Sequence, residues 1–146
     1  MTPKYIFLFA LCLSLASSID LNNFEVLTIG SQTLQNTLEI AKDSQVALKF
    51  ESNPTTGYNW YIENSETLKS SKVLQALNLN EKNGGEYQEN DNPNHLTGMG
   101  GNAYFKFRGL NRGKQSIQFR YKRVWETEPL YTIMVDVDVI EIKENL

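Results

Sequence analysis

The amino-acid sequence predicts an all-β sandwich of seven to eight strands. Three observations lead there. Short runs alternate apolar and polar residues with period two, which puts one side of a strand in a core and the other in water. Clusters of Gly, Pro and Asn separate these runs at the spacing of a two-sheet sandwich. No repeat, coiled-coil pattern or low-complexity linker competes with that reading.

The elements follow in order. Phe24 to Ile29 reads as a first strand, and Leu38 with Ile40 marks a short second. Val46 to Phe50 and Tyr58 to Ile62 alternate cleanly. Val73 to Leu79 is ambiguous: positions 73, 74 and 77 suit a helical turn, while 77 and 79 suit a strand. It is assigned to a strand. Tyr104 to Phe107, Ile117 to Tyr121 and Ile133 to Ile142 complete the set. Trp60 and Phe119 are expected in the core, with Tyr58 at its rim. The turns fall at Asn53–Gly57, Asn83–Gly85, Asn90–Gly101 and Asn111–Gly113.

The chain has 146 residues, the size of one domain. Residues 1–18 read as a signal peptide: Lys4 is a positive n-region, Tyr5 to Leu15 an apolar h-region, and Ala16, Ser17 and Ser18 suit cleavage. The apolar run is short for a membrane span. One domain is then expected over residues 19–146, about 128 residues and enough for a core without staples. The single cysteine, Cys12, lies in the leader, so the mature domain would carry neither a disulfide nor a thiolate. The secretory pathway is the expected route, ending outside the cell or in lysosome-like vesicles. The net charge of −3 and the lack of a basic stripe argue against nucleic acid or an anionic membrane as partner. A monomer is expected.

Catalytic chemistry has little to work with. The only histidine, His95, sits in a Gly/Asn-rich loop, and no Gly-x-Ser-x-Gly elbow accompanies it. Asp136 and Asp138 share one side of a strand, a spacing more typical of a solvated face than of a paired-carboxylate site. Metal-ligand spacing is absent, and Gly98–Gly101 precedes a strand, not the helix a phosphate cradle needs. No catalytic residue, metal or cofactor is expected.

Three loops carry more information. In Asn53-Pro54-Thr55-Thr56-Gly57-Tyr58, Pro54 fixes one φ and Gly57 can take a positive one, giving a stiff tip with two threonines. A plain turn between strands would use the same residues. The stretch Asn92 to Gly101 closes on Gly98-Met99-Gly100-Gly101, whose glycines let another backbone approach, or simply make a flexible connector. Arg123-Val124-Trp125-Glu126-Thr127-Glu128-Pro129 places a tryptophan in a polar connection, either as an interface anchor or folded back on the sandwich. Counted through a seven-stranded immunoglobulin-like topology, these loops join B to C, D to E and F to G, all at one end.

The combination resembles the chagasin family of cysteine peptidase inhibitors. Its signatures are an Asn-Pro-Thr-Thr-Gly-aromatic loop, a Gly-x-Gly-Gly loop and an Arg-Pro-Trp/Phe loop. Asn53 to Tyr58 and Gly98 to Gly101 match in full; Arg123-Val124-Trp125 departs, with valine at the proline position. The resemblance implies a reversible, tight-binding inhibitor of papain-like, cathepsin-like cysteine peptidases on an immunoglobulin-like sandwich. It also implies that Asn53, Pro54, Thr55, Thr56, Gly57, Tyr58, Gly98, Met99, Gly100, Gly101, Arg123 and Trp125 form the peptidase-binding surface. Thr55 and Thr56 would enter beside the catalytic cysteine. The alternative function is a secreted immunoglobulin-like adhesion or glycan-binding module that uses Trp125 for stacking.

Overall fold

The computed structural model describes residues 24–30, 35–91, 93–94 and 98–142. The signal-peptide reading of residues 1–18, and His95, lie outside the described residues. The strands are β1 (Glu25–Ile29), β2 (Gln35–Ala41), β3 (Gln45–Ser52), β4 (Tyr58–Ile62), β5 (Leu74–Ala76), β6 (Glu86–Glu89), β7 (Gly101–Gly109), β8 (Gly113–Arg123) and β9 (Tyr131–Ile140). One short helix, α1 (Ser65–Lys69), follows β4.

Two sheets face each other. One has the order β1-β3-β7, with β5 and β6 sharing the far edge of β7; the other runs β2-β9-β8-β4. β1 pairs in parallel with β3, and β2 in parallel with β9, so the N-terminal segment serves first one sheet and then the other. The remaining pairings are antiparallel. This is the immunoglobulin-like sandwich. β3 to β4, β6 to β7 and β8 to β9 are its B–C, D–E and F–G connections, and they share one end.

The alternation in the sequence becomes the core. Val46, Leu48 and Phe50 from β3 and Phe105 and Phe107 from β7 meet Ile117, Phe119, Ile133, Val135, Val137 and Val139 across the sandwich. Phe50 lies 4.7 Å from Trp60 and 4.5 Å from Phe119, both on the opposite sheet. Phe105 stands edge-on to Phe50 and Phe119, at 5.7 and 5.0 Å. Trp60 is buried, yet its indole N–H donates to the Glu51 carbonyl at 2.9 Å, so a polar bond also crosses between the sheets. Each such ring contributes about 1.5–3 kcal/mol by burial, and tilted aromatic pairs add about 0.5–1.5 kcal/mol each.

Four details differ from the sequence reading. Nine strands lie among the described residues, because β6 (Glu-Tyr-Gln-Glu) is too polar to announce itself. The ambiguous Val73–Leu79 segment is a strand only over Leu74–Ala76. Beyond it, Asn78 replaces the backbone: its Oδ1 accepts from Lys106 N at 2.8 Å and its Nδ2 donates to Tyr104 O at 3.0 Å. That carboxamide fills the gap on the edge of β7 between β5 and β6. Asn64 does the same past the end of β4, bonding Ser116 O and Gln118 N at 2.9 Å each, and α1 follows. Lys106, expected in water from the alternation, is buried. Its ammonium pairs with Glu86 at 3.6 Å and sits 5.2 Å from the Phe24 ring, which covers that face of the sheet.

The aromatic cluster predicts a clear stability effect. Phe119→Ala should lower the unfolding free energy by about 3–5 kcal/mol, read from the urea midpoint at unchanged slope. A loss below about 1 kcal/mol would show that the sheets are held together elsewhere.

Candidate functional site

The three loops sit at one end of the sandwich, and the strands beneath them set their spacing. β3 delivers Ser52 opposite Gly101 of β7, and β4 delivers Tyr58 opposite Arg123 of β8. The first loop therefore stands between the other two. Tyr58, Tyr121 and Tyr131 stack as a floor, with centroids 5.3 and 6.0 Å apart, and Trp60 packs on Tyr121 at 4.9 Å.

In the first loop, Pro54–Thr56 forms a 3₁₀ turn. Asn53 organises it. Its carbonyl accepts from Thr56 N at 3.1 Å and from the Thr56 hydroxyl at 2.6 Å; its Oδ1 accepts from the Thr55 hydroxyl at 2.5 Å. Gly57 N–H donates to Pro54 O at 2.8 Å, and Gly57 takes φ = 84°. Both threonines remain exposed. Their hydroxyl protons are used internally, so the tip offers oxygen lone pairs outward.

The second loop is tied to the first. Asn53 Nδ2 donates to Gly98 O at 3.0 Å, and Asn90 N–H donates to Gly100 O at 3.0 Å. Gly98 and Gly100 have φ of 78° and 73°. A Cβ on Gly100 would stand 3.1 Å from Ser52 O, so this backbone also lies close against the first loop. Met99 points outward, 44% exposed. Gly101 is different: it is buried in β7, where a Cβ would come within 2.1 Å of Gln88 O and 2.8 Å of the Tyr87 hydroxyl. Sheet packing alone demands glycine there. Partial burial, then the nearby Glu89 and Tyr121, push the Tyr87 hydroxyl above the usual phenol pKa.

The third loop turns at once. Glu126 N–H donates to Arg123 O at 3.1 Å, and Leu130 N–H to Tyr121 O at 2.8 Å. Trp125 is 70% exposed. Its six-membered ring reaches back over the first loop, with Cη2 3.0 Å from where a Cβ of Gly57 would be. Arg123 crosses between the loops: its Nε donates to Thr56 O at 3.0 Å, its Cζ lies 4.4 Å from the Tyr58 ring centroid, and its Nη1 meets Glu126 Oε1 at 3.3 Å.

The structure thus brings Asn53, Pro54, Thr55, Thr56, Gly57, Tyr58, Gly98, Met99, Gly100, Arg123 and Trp125 to one end, with Gly101 anchoring the second loop from within its strand. Sequence reasoning placed Val124 and Glu126 in the third loop without giving either a part in the surface, and did not name Leu130. Glu126 could have been read from its i+3 spacing to Arg123. Val124 and Leu130 are exposed apolar side chains, at 53% and 54%, visible as such only once the loop is placed. Of six exposed large hydrophobic residues among those described, Met99, Val124, Trp125 and Leu130 lie in or beside the second and third loops.

Fold and site together define an immunoglobulin-like domain with three mutually braced loops at one end. The chain belongs to the chagasin family of peptidase inhibitors: residues 39–137, which include all three loops, match the family described as Chagasin family peptidase inhibitor I42. Members of that family are inhibitors, and this protein is not an enzyme. The chain is 28% identical over 104 residues to Amoebiasin-1 of Entamoeba histolytica, covering 69% of this chain and 89% of that protein. Among solved structures, it resembles Amebosin at 27% identity and a TM-score of 0.56, over 79% of this chain and 96% of the other. The fold is also that of the cysteine protease inhibitor EhICP2 from Entamoeba histolytica, with a TM-score of 0.60 at 22% identity, over 80% and 96% of the two chains. The family match and these relatives support inhibition of cysteine peptidases as the class of activity.

The contact between Gly57 and Trp125 is directly testable. Gly57→Ala should cost about 1 kcal/mol of stability through the left-handed φ alone. The new methyl should also lift the indole, changing the fluorescence of the exposed tryptophan. An unchanged midpoint and spectrum would mean that the ring does not rest on Gly57.

Proposed function

We propose that this protein inhibits papain-like, cathepsin-like cysteine peptidases reversibly, as a monomer, by seating its three loops in the active-site cleft. One observation carries the reading: the loops are hydrogen-bonded to one another, Asn53 to Gly98 and Arg123 to Thr56, beneath an exposed tryptophan. A wedge already ordered in this way loses little entropy on docking, and it can bury the roughly 800 Å² per partner of a standard interface.

The chemistry suits such a target. A papain-like site holds a thiolate beside an imidazolium, with further donors aimed at the developing oxyanion. The Thr55 and Thr56 oxygens present lone pairs to those donors. The tip also resists cleavage. Its 3₁₀ turn curls the backbone out of the extended form, and the Asn53 and Pro54 carbonyl oxygens face the turn's own amides, so neither carbonyl is aligned with the peptidase's oxyanion-hole donors for attack. Gly98 to Gly100 would lie along the groove through main-chain contacts, with Gly101 fixing their base. Trp125, with Arg123 beneath it, would cover the leaving-group side. We place the protein in the secretory pathway, on the strength of the leader-like residues 1–18.

Titration of papain with residues 19–146 should abolish activity stoichiometrically and competitively, and should spare serine, aspartic and metallopeptidases. Trp125→Ala should weaken inhibition by about 2 kcal/mol or more, mostly through faster dissociation. Glycan binding without inhibition at micromolar protein would instead favour an adhesion module.

A further inference from the structure

We infer that Arg123 is a positioning residue, an internal brace that holds the Thr55–Thr56 turn in its binding shape, with Glu126 as the anchor of that brace. The inference rests on the inhibitory reading above and assigns Arg123 an indirect part in it. Four contacts carry it. The guanidinium Nε–H donates to the Thr56 carbonyl at 3.0 Å, across 67 residues of sequence. The plane lies over Tyr58, at 4.4 Å from the ring centroid. The stem packs under the turn, with Cγ and Nε both 3.5 Å from the position of a Gly57 Cβ. The Nη1 end is held by Glu126 at 3.3 Å, and the Glu126 N–H closes the turn onto the Arg123 carbonyl at 3.1 Å.

The side chain is therefore stacked on Tyr58, lies 5.9 Å from the Trp125 ring centroid, and is bonded at two of its three nitrogens. It is about one-third exposed, against 70% for Trp125 beside it. Trp125 touches Gly57 yet leaves most of its surface to solvent, whereas Arg123 is turned inward and bonded to the Thr55–Thr56 turn. Arginine suits the post for geometric reasons. A planar fork can donate sideways to a carbonyl, stack on a phenol ring and meet a carboxylate at its tip simultaneously, whereas an ammonium is a compact point charge with no planar face to stack and no rigid fork to span the two oxygens.

The functional consequence is a population effect. Without the brace, the turn samples other shapes, and the peptidase meets a seated turn in only a fraction of encounters. Apparent affinity falls by that fraction. The loss then appears in the association rate, whereas truncating a contact residue acts on dissociation.

The experiment compares the parent, Arg123→Ala, Arg123→Lys and Glu126→Ala by amide hydrogen exchange in the free inhibitor and by stopped-flow inhibition of papain. Arg123→Ala should speed exchange at the Thr56 and Gly57 amides and slow association about tenfold, with dissociation little changed. Arg123→Lys should restore neither quantity, and Glu126→Ala should shift both in the same direction by less. Unchanged exchange at Gly57 with a loss confined to dissociation would overturn the inference, because Arg123 would then be a direct contact. Full rescue by lysine would overturn it as well. Should Arg123→Ala fail to fold, the lysine and Glu126 variants decide by the same two readouts. If the parent itself does not inhibit papain, the inhibitory reading fails, and exchange at Thr56 and Gly57 still judges the brace alone.

Discussion

Phe50 packed between Trp60 and Phe119 is the constraint on which the rest of this molecule depends. It joins the two sheets at the end where the loops arise. Phe50 precedes Asn53 by three residues, and Trp60 follows Gly57 by three, so both ends of the first loop are tied to the same aromatic cluster. The Trp60 indole N–H on the Glu51 carbonyl adds a directional bond to that apolar contact. A non-directional hydrophobic core sets the distance between sheets; the hydrogen bond sets the register in which β3 hands over to β4.

On this base the loops brace each other in a chain. Asn53 reaches the second loop through Gly98, and Arg123 reaches the first through Thr56. Valine at position 124, where the resembled motif has proline, does not leave the third loop unsupported. The Arg123–Glu126 turn and its ion pair hold what a fixed φ would otherwise hold. A surface ion pair by itself is worth little, but here the guanidinium is also stacked and hydrogen-bonded, so its geometry is shared among several partners.

Much of the architecture was legible in the sequence because alternation with period two has a single physical meaning when one face must be dry. β4 matches the expected run end to end, β8 extends beyond its run at both ends, and β9 lies two residues earlier than expected, leaving Ile142 exposed; in each the buried face falls at alternating apolar positions. What escaped notice was structure made without apolar signal. β6 takes its ladder bonds from the edge of β7 and brings no fully buried side chain of its own. The shortening of β5, and the turn into α1, hinge on carboxamides of Asn78 and Asn64 that imitate a peptide group, and any loop asparagine looks the same in sequence. Lys106 was assigned to water because alternation cannot see that Phe24 folds over the outer face.

The sequence by itself determined the all-β class, the core faces and the three loop motifs, since these depend on local residue types and their period. Tertiary structure decided what the loop residues do. The four glycines of the two glycine-bearing motifs look equivalent in the chain, yet Gly57, Gly98 and Gly100 serve backbone shape while Gly101 serves sheet packing. Trp125 and Arg123 stand two residues apart, yet one lies over Gly57 with most of its surface in solvent and the other bonds Thr56 from within. Those differences arise from contacts between segments far apart in sequence. Such contacts exist only after the sheets have brought the segments together, because no local preference records which distant carbonyl or ring a side chain will meet.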